Sequence, residues 1–303
     1  IVTAPGLFRG GVYSPNQNRI YLVPCGGADN LKWHFIDCDD GTVHAYTHNA
    51  DALVNGYDSG VYSPTQDRIY LVPFRQSSNP NKKWHYIDCT DGSVVAYDRP
   101  PDVELAAGNF INVAYGGGVY SPTQNRIYLV PVAQATLPTW HYIDCDTGNV
   151  VEYTHGATAV TYGYAGGVYS PTQDRIYLSP SRQGPEAYWH YIDCTSGAVV
   201  AYENVHAASV GTQAYYGGSY SSASNRVYLA PETQASPWHY IETATTAPTT
   251  SPTSSPTQSP TPAPIPSVAA YSAPSSGLAA GVAYHGSVVC PTQNHIYMMP
   301  YAQ

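Results

Sequence analysis

A hexapeptide that carries reactive side chains recurs along the chain. The sequence WHYIDC stands at 84–89, 140–145 and 189–194, and the variants WHFIDC and WHYIET stand at 33–38 and 238–243. Imidazole, carboxylate and thiolate groups are those that bind zinc or act as acids and bases in catalysis. The first question is therefore whether these copies are active-site segments or parts of a repeated scaffold.

The histidines of this hexapeptide are candidate metal ligands, and their distribution argues against that role. A zinc site needs several ligands that converge to about 2.0–2.1 Å from one ion. One histidine in each of five separated copies does not converge in this way, so we expect no bound metal and no cofactor. We expect instead half-buried histidines that hydrogen-bond locally between aromatic neighbours. These histidines are His34, His85, His141, His190 and His239.

Sequence signatures of common enzyme classes are missing as well. The chain carries no nucleophile elbow, P-loop, HExxH or CxxC segment. General acid–base catalysis also uses groups with individually tuned environments, which five equivalent copies do not supply. We therefore expect a protein that is not an enzyme. A catalytic site at the mouth of a ring of repeats would need acidic residues on the non-repeating loops, where the candidates are Asp51, Asp58 and Glu104.

The composition indicates short strands and many turns. The 303 residues include 29 Tyr, 26 Gly and 26 Pro, and only 11% are charged, which favours an all-β chain. The net charge of −9 with 12 basic residues opposes binding to a nucleic-acid backbone. No apolar run approaches the roughly 18–20 residues of a membrane span. The first residues, IVTAPGLFRGGVYS, lack the features of a signal peptide.

The chain is a tandem repeat. The Ser-Pro of GGVYSP and its variants anchor six units at positions 15, 64, 122, 171, 222 and 291, with spacings of 49, 58, 49, 51 and 69 residues. Each unit contains four short runs, such as GGVYSP, RIYLVP, WHYIDC and VVAY, separated by turn sequences such as TQN and DTG. Hairpin turns between such runs, and four strands in about 45–50 residues, are typical of a propeller blade.

The paired segments GGVYSPTQNRIYLVP and YIDCDTGNVVEY resemble the YVTN-type β-propeller repeat, in which a Ser-Pro-turn-Arg-x-Tyr hairpin precedes an Ile-Asp-x-x-Thr-Gly hairpin. The resemblance covers nearly every repeat. It departs from the family pattern in the Trp-His before Tyr-Ile-Asp and in the Cys after it. More loosely, the wording is similar to that of uncharacterised repeat proteins of large DNA viruses of algae and protists. Both resemblances imply an architecture, and neither implies a reaction.

We therefore predict an all-β chain folded as a β-propeller of about six four-stranded blades, the sixth incomplete in this chain. The propeller comprises 1–243 and 267–303. Residues 244–266 form a Pro/Thr/Ser-rich insertion in blade five, between WHYIET and a fourth strand at SVAAY. A stacked β-solenoid would align the repeated arginines about 4.8 Å apart, where like charges repel, so the propeller is favoured.

A charge pair is expected in each hairpin. The arginine that opens the second strand and the carboxylate that closes the third strand face each other in an antiparallel hairpin. A partly buried pair at this place fixes the register, whatever its net effect on stability. The expected structural pairs are Arg19 with Asp37, Arg68 with Asp88, Arg126 with Asp144, Arg175 with Asp193, and Arg226 with Glu242.

The remaining residues of the hexapeptide are expected to be structural. Large aromatic side chains on blade faces fill the space between adjacent blades, although some surface Tyr or Trp side chains are alternatively available to stack on sugars. Equivalent cysteines of separate blades do not lie within the about 4.4–6.8 Å that a disulfide requires between Cα atoms, so we expect free thiols. The residues concerned are Trp33, Trp84, Trp140, Trp189, Trp238, Cys38, Cys89, Cys145 and Cys194.

The insertion at 244–266 cannot build a core, because its Pro, Thr and Ser residues keep it extended. Two interpretations remain open, a flexible exposed loop and a mucin-like O-glycosylated arm. The chain contains no Asn-x-Ser/Thr sequon, so N-glycosylation is not expected. The candidate O-glycosylation sites are Thr249, Thr250, Ser251, Thr253, Ser254, Ser255 and Thr257.

The sequence is repetitive and has no unique candidate site, which favours a non-enzymatic structural or adhesion protein. We expect this protein to be extracellular or on a virion surface, and to assemble through propeller edges, for example into fibres. The alternative is a glycan-binding, lectin-like propeller. Blade six lacks the sequences of its third and fourth strands, and an open strand edge is a template for pairing. The expected partner is a neighbouring subunit or another copy of the chain. Continuation of the chain and closure by the segment IVTAP are the other two explanations of the open edge, and we favour them over strands donated by a neighbouring subunit.

Overall fold

The fold is seen in a computed structural model, which describes residues 8–25, 32–48, 50, 56–74, 83–98, 114–243, 267–271, 284–293 and 295–300. The described residues form β-strands and two short 3₁₀ helices, Ala133–Thr136 and Ala207–Ser209. The all-β prediction is therefore confirmed. No helix in this part of the chain is long and apolar enough to cross a membrane.

The described strands form five four-stranded sheets and one two-stranded sheet, each antiparallel and each with its strands in chain order. Each sheet is one blade, as the repeat predicts. The blades contain β1 (Phe8–Ser14), β2 (Arg19–Pro24), β3 (Lys32–Asp37) and β4 (Val43–Thr47); β5 (Tyr57–Ser63), β6 (Arg68–Pro73), β7 (Lys83–Asp88) and β8 (Val94–Asp98); β9 (Tyr115–Ser121), β10 (Arg126–Pro131), β11 (Thr139–Asp144) and β12 (Val150–Thr154); β13 (Tyr164–Ser170), β14 (Arg175–Pro180), β15 (Tyr188–Asp193) and β16 (Val199–Glu203); β17 (Tyr215–Ser221), β18 (Arg226–Pro231), β19 (Trp238–Glu242) and β20 (Ser267–Tyr271); and β21 (Tyr284–Cys290) with β22 (His295–Pro300).

Short turns set the register of each blade. The residue before the second strand has a φ of 50–51° in blades one to five. It is always Asn or Asp, the residue types that tolerate the left-handed region best after glycine. These residues are Asn18, Asp67, Asn125, Asp174 and Asn225. The hairpins are therefore specified by residues close to each other in the sequence.

The first strands of the blades lie side by side around the centre of the ring. β1 packs on β5, β5 on β9, β9 on β13 and β13 on β17, while β21 packs on the other side of β1. This close approach requires residues without a side chain. A Cβ at Gly166, which has a φ of 114°, would lie 2.8 Å from the Cα of Gly217 on the next blade. A Cβ at Gly116 would lie 3.2 Å from the Cα of Ala165, as expected for glycines near the axis.

The hydrophobic core lies between neighbouring blades. Between blades two and three the buried members are Tyr70, Val72, Trp84, Ala114, Tyr115, Ile127, Leu129, Ile143 and Cys145. Similar clusters fill the junctions of blades one and two, three and four, and four and five. Four of the repeated tryptophans lie in these clusters and are at most 3% exposed, which confirms their predicted role in inter-blade packing. They are Trp33, Trp84, Trp140 and Trp189.

Blade five is interrupted where the sequence predicts. β20 pairs with β19 and places Tyr271 opposite Trp238, so the fourth strand of the blade follows the segment 244–266. That segment, with its candidate O-glycosylation sites, lies outside the described residues. In blade six, β21 pairs with β22 and places Cys290 opposite His295.

One face of blade five is less covered than the same face of the other blades. The serine that ends the first strand is fully buried in blades one to four, whereas Ser221 of blade five is partly exposed. Ser219 and Ala230 on this face are exposed, although their equivalents in blade four, Val168 and Ser179, are buried. Blade five therefore presents a face that blades one to four bury against a neighbour.

Candidate functional site

The hexapeptide histidines are engaged by the first residue of the first strand of their own blade. The Tyr57 hydroxyl lies 2.5 Å from Nδ1 of His85, and the Tyr115 hydroxyl lies 2.7 Å from Nδ1 of His141. The same contact joins Tyr164 to His190 and Tyr215 to His239. In each pair the two rings are nearly perpendicular. The predicted hydrogen bonding of these histidines is thus confirmed for four blades, but the prediction that they are half-buried is wrong, since all four are at most 3% exposed.

Blade one differs because its first strand begins with phenylalanine. The ring of Phe8 meets that of His34 edge-on, with the centroids 5.5 Å apart. Phenylalanine has no hydroxyl, and Nδ1 of His34 has no hydrogen-bond partner within the described residues.

Burial lowers the pKa of several of these imidazoles. It lowers the pKa of His190 and of His239 to about 4, with a further contribution from the nearby His155 and His206. Burial also lowers the pKa of His141. In blades two to five the tyrosine hydroxyl occupies Nδ1 of the histidine, and no three His, Cys, Asp or Glu side chains in the described part of the chain are grouped as metal ligands.

These buried histidines predict a loss of stability in mild acid. Above their ordinary pKa of 6.5 they are neutral in both states, so their burial costs nothing in protonation. Between pH 6.5 and about pH 4 these histidines are protonated in the unfolded chain but not in the folded chain. The free energy of unfolding therefore falls as the pH falls. For His190 the loss is up to about 1.4 kcal/mol per pH unit. Urea unfolding across this pH range measures it.

The matched variants separate this effect from general acid sensitivity. His190→Gln should make the pH dependence shallower within that window by up to about 1.4 kcal/mol per pH unit, because one of the titrating histidines is gone. Val43→Gln, at an exposed position on β4, changes no titrating group and should leave the slope unchanged. Equal slopes for wild type and His190→Gln would contradict the prediction.

The hairpin register places each repeated arginine opposite its expected carboxylate. Arg19 is the strand partner of Asp37, and the other four hairpins repeat this arrangement. In blade five the two side chains meet, since Nη2 of Arg226 lies 2.9 Å from Oε1 of Glu242. The glutamate is one methylene longer than the aspartates and therefore reaches further along the hairpin.

The predicted close ion pair is thus seen in blade five, whereas in blades one to four the shorter aspartate caps the following turn instead. Oδ1 of Asp193 accepts backbone hydrogen bonds from Thr195 at 3.1 Å and Ser196 at 2.9 Å, and the other three aspartates act similarly. Each arginine lies over the aromatic ring of the third strand, with Cζ 4.3 Å from the ring centroid. The reactive groups of the hexapeptide are therefore used by the blade itself.

Arginine and aspartate still influence each other electrostatically in blade three. Burial raises the pKa of Asp144, but hydrogen bonds from Thr147 and Asp146 and the charge of Arg126 outweigh it, so the pKa lies below its usual value. The charge of Arg126 is the smallest of these contributions, so the hydrogen bonds of the turn account for most of the lowering.

A second cluster of reactive side chains lies where the repeats differ. The second residue of each first strand is, in blade order, Arg9, Asp58, Gly116, Ala165, Tyr216 and His285. Because the first strands surround the centre of the ring, these positions lie at one end of its axis. The repeats therefore diverge at the place where a propeller can build a single, central site.

Three of these residues interact across the centre, and we call them the axial cluster. Arg9 of blade one forms an ion pair with Asp58 of blade two. The hydroxyl of Tyr216, on blade five, lies 2.9 Å and 2.8 Å from the two carboxylate oxygens of Asp58. The Arg9 guanidinium also lies 4.0 Å from the centroid of Phe74. The side chain of Asp58 is 2% exposed and that of Arg9 is 13% exposed.

The axial cluster satisfies its own charges. Burial opposes the charge on Arg9, but the Asp58 carboxylate outweighs it and holds the pKa of Arg9 above its usual value. Burial and the same carboxylate raise the pKa of Tyr216 well above its usual value. Arg9 therefore stays cationic, and Tyr216 stays protonated and donates its hydrogen. The cluster links blades one, two and five. Neither the Arg9 guanidinium nor the Tyr216 hydroxyl is in a form that can accept a proton.

Of the three members of the axial cluster, the sequence analysis predicted Asp58 as a candidate site residue but did not predict Arg9 or Tyr216. Asp58 was one of three acidic candidates, and the other two, Asp51 and Glu104, lie outside the described residues. Arg9 and Tyr216 share the register position of Asp58. Aligning the repeats and asking which position changes chemistry from blade to blade would have found both.

Shallow grooves recur at the outer rim between neighbouring blades, and we call them the inter-blade grooves. The groove between blades three and four has a volume of about 630 Å³ and is lined by Arg126, Tyr128, Thr139, Tyr142, Glu152, Tyr153, Thr154, Ser196, Gly197 and Ala198. The groove between blades one and two has a volume of about 550 Å³ and is lined by Lys32, Ala45, Tyr46, Thr47, Asp91, Gly92 and Ser93. The outer strand of one blade and the Gly turn of the next form the walls of both.

The groove between blades three and four combines aromatic surface with accessible polar groups. Glu152, Thr154 and Ser196 are exposed, and Tyr142 is partly exposed. Concave sites with aromatic walls and a few convergent polar groups are typical of small-molecule binding. The groove can therefore accept a ligand that offers both hydroxyl groups and an apolar face.

Comparisons with known proteins agree with the architecture. No protein-family model matches the chain, and no curated protein matches its sequence. Among solved structures, hydrazine synthase of Kuenenia stuttgartiensis matches with a TM-score of 0.52 and 13% identity, over 80% of this chain and 65% of that chain. The structure of YjhT matches with a TM-score of 0.50 and 9% identity, over 78% of this chain and 73% of that chain. The chain thus spans less than two thirds of the hydrazine synthase chain.

At these identities the comparisons show the fold alone. They support neither the YVTN family nor the viral proteins that the repeat resembles. One neighbour is named as an enzyme, so the fold is compatible with catalytic and non-catalytic roles alike. The blades, their ring of first strands and these neighbours together identify the chain as a β-propeller repeat protein.

Proposed function

We propose that this protein is a non-enzymatic, extracellular adhesion propeller that binds carbohydrate chains through its inter-blade grooves. The observation that carries the proposal is the recurrence of one groove at two blade junctions, each with a tyrosine wall and polar groups at the rim. Equivalent sites repeated around a rim suit a repetitive ligand such as a polysaccharide. Several weak contacts to one such chain combine into tight attachment.

The contacts of the reactive side chains support the non-enzymatic part of the proposal. A catalytic acid or base needs access to the substrate and a pKa near the working pH. His190 is buried, bound to Tyr164 and neutral. Asp193 caps a turn, and Asp58 is held by the other members of the axial cluster. Each of these groups is therefore already engaged in a contact within the protein.

The chemistry of the groove supports a carbohydrate ligand. Sugar rings carry adjacent hydroxyl groups and an apolar CH face. The carboxylate of Glu152 can accept two hydrogen bonds from such hydroxyls, and the hydroxyl of Thr154 can donate or accept. Ser196 donates its hydrogen to Asp193 at 2.9 Å, so its oxygen is left to accept. The partly exposed Tyr142 supplies aromatic surface for the apolar face.

A glycan array tests this proposal. We expect the wild-type protein to bind at least one class of oligosaccharide. The double variant Thr154→Arg/Ala198→Trp places large side chains at exposed positions of one groove and should weaken binding about tenfold, because one of several linked contacts is lost. The affinity is measured on the immobilised oligosaccharide that the wild type binds best.

The control is Val205→Arg, an exposed position that lines neither groove. It should bind like the wild type, and both variants should show wild-type circular dichroism. A wild-type protein that binds nothing on the array, or a double variant that binds unchanged, contradicts carbohydrate recognition by the groove.

Self-assembly is a second role, and the uncovered face of blade five favours it. Ser219 and Ala230 are exposed where blade four buries the equivalent positions against a neighbour. We propose that a blade of a neighbouring subunit covers this face. Electron microscopy of the concentrated protein should show joined propellers or filaments, whereas discrete single propellers at every concentration would refute assembly.

A further inference from the structure

The junctions between blades repeat one buried contact. The cysteine that follows the third strand of a blade lies beside the serine that ends the first strand of the preceding blade. These neighbours are Ser14 and Cys89, Ser63 and Cys145, and Ser121 and Cys194. The contact is one of packing, since Oγ of Ser14 and Oγ of Ser121 have no hydrogen-bond partner among the described residues. Each of these residues is at most 1% exposed, so the contact is sealed inside the junction.

At the junction between blades six and one, a second cysteine stands in place of the serine. Cys290 ends β21 as Ser14 ends β1, and it packs in one cluster with Cys38 of blade one. The Cys290 thiol lies 3.8 Å from the carbonyl oxygen of Cys38. The two side chains pack in the same cluster, both are fully buried, and both are free thiols in this structure, as predicted for Cys38. This junction pairs thiol with thiol where the others pair thiol with hydroxyl.

The junction of blades six and one is otherwise built like its equivalents. Oγ1 of Thr292 lies 3.0 Å from Oδ1 of Asn18 and 3.1 Å from the carbonyl oxygen of Cys38. Thr65 makes the same two contacts with the equivalent residues of blade three, at 2.9 Å and 3.3 Å. The cysteine pair therefore belongs to a regular inter-blade contact.

We propose that Cys38 and Cys290 are a disulfide-forming pair that cross-links blade six to blade one. These blades are neighbours in the ring, but the two cysteines are 252 positions apart in the chain. No short connection holds them together, in contrast with blades that follow each other in sequence. A cross-link over so long a separation removes much conformational freedom from the unfolded chain, and it therefore stabilises this junction.

The bond forms by thiol–disulfide exchange with a low-molecular-weight disulfide such as oxidised glutathione. The Cys290 thiolate attacks one sulfur of the oxidant, which gives a mixed disulfide and releases one glutathione thiolate. The Cys38 thiolate then attacks the Cys290 sulfur of the mixed disulfide and releases the second glutathione thiolate. Two protein thiols are oxidised, one glutathione disulfide is reduced, and the two protein protons end on the two released glutathione molecules.

Exchange takes place before the junction closes, because both thiols are fully buried in the folded chain. Either thiolate can then be the first nucleophile, and Cys290 stands for it in the scheme above. In the closed junction, burial raises the pKa of Cys38 to about 12, so a thiol that has escaped oxidation there is protonated and unreactive.

Refolding the reduced, unfolded chain in a buffer of reduced and oxidised glutathione tests the pair, because the thiols are accessible before the junction closes. After alkylation of free thiols and tryptic digestion, mass spectrometry should find peptide 33–68 joined to peptide 227–303. Each of these peptides contains one cysteine, Cys38 and Cys290 respectively. The oxidised protein should unfold at a temperature about 5–10 °C above the reduced protein.

Matched variants make the test specific. Cys290→Ser restores the serine found at the other junctions, so it should fold, and it should lose both the cross-linked peptide and the temperature difference. Cys89→Ser should keep both. Ser14→Cys should create a second cross-link, to Cys89. Recovery of Cys38 from the refolded wild type as a free thiol, or joined to any other cysteine, overturns the proposal.

Discussion

The Asp58→Ala variant is expected to unfold with a free energy about 3–5 kcal/mol below that of the wild type. Removing the carboxylate leaves the Arg9 guanidinium charged in a largely buried place and takes the acceptor from the Tyr216 hydroxyl. It also removes the contact that ties blade five to blades one and two across the ring. Urea unfolding followed by tryptophan fluorescence measures the loss.

Further variants separate the buried charge from the other contacts of Asp58. Arg9→Met/Asp58→Leu/Tyr216→Phe removes both charges and the hydroxyl that Asp58 accepts from, and it should recover most of the loss, because apolar side chains replace a buried ion pair at little net cost. Tyr216→Phe removes one hydrogen bond to a charged group and should cost about 1.5–3 kcal/mol. Glu186→Ala, at an exposed position, is the control. An Asp58→Ala variant as stable as wild type would show that the axial cluster does not form in solution.

The Trp140→Ala variant should lose about 3–5 kcal/mol of unfolding free energy. Trp140 is fully buried in the cluster that joins blades three and four, beside Tyr164 and Ile176. The substitution removes the buried contacts of a large apolar side chain. It also leaves a cavity that the two rigid sheets cannot close. Equilibrium unfolding of the two proteins under the same conditions measures the difference.

Trp238→Ala is the matched control, because Trp238 holds the equivalent place in blade five and is partly exposed. Its loss should be at least about 1 kcal/mol smaller, since less apolar area leaves water in folding. The comparison is made at low protein concentration, where a blade face open to a partner is free. Equal losses for the two variants would contradict the difference in burial between the two junctions.

The local architecture of each blade could be predicted from the sequence because its causes are local. Asn18 and its equivalents specify the first turn, the glycine-ended segments DDG, TDG, DTG and TSG specify the last one, and Arg19 faces Asp37 because a two-strand hairpin has one register. The interruption of blade five was visible for the same reason. SVAAY repeats the apolar run of the other fourth strands, and it pairs with β19.

The similarity of the repeats also explains why the structural role of the hexapeptide could be predicted. Five equivalent copies pointed to scaffold, and the structure shows the tryptophans packed between blades and four histidines bonded to tyrosines. The identity of those partners was not readable from the hexapeptide alone. The tyrosine stands 24–28 positions before its histidine, and the strand order of the blade brings the two together.

By itself, then, the sequence determined the strands, the turns, the hairpin registers and the number of blades, since residues within one repeat specify each of them. Only the tertiary structure decided which residues meet across the ring. Tyr216 reaches Asp58 over 158 positions, and Cys290 reaches Cys38 over 252. Such contacts depend on the angle between every pair of blades in between. Each of these angles results from many side-chain contacts at a blade junction, so the sequence of a single repeat does not specify it.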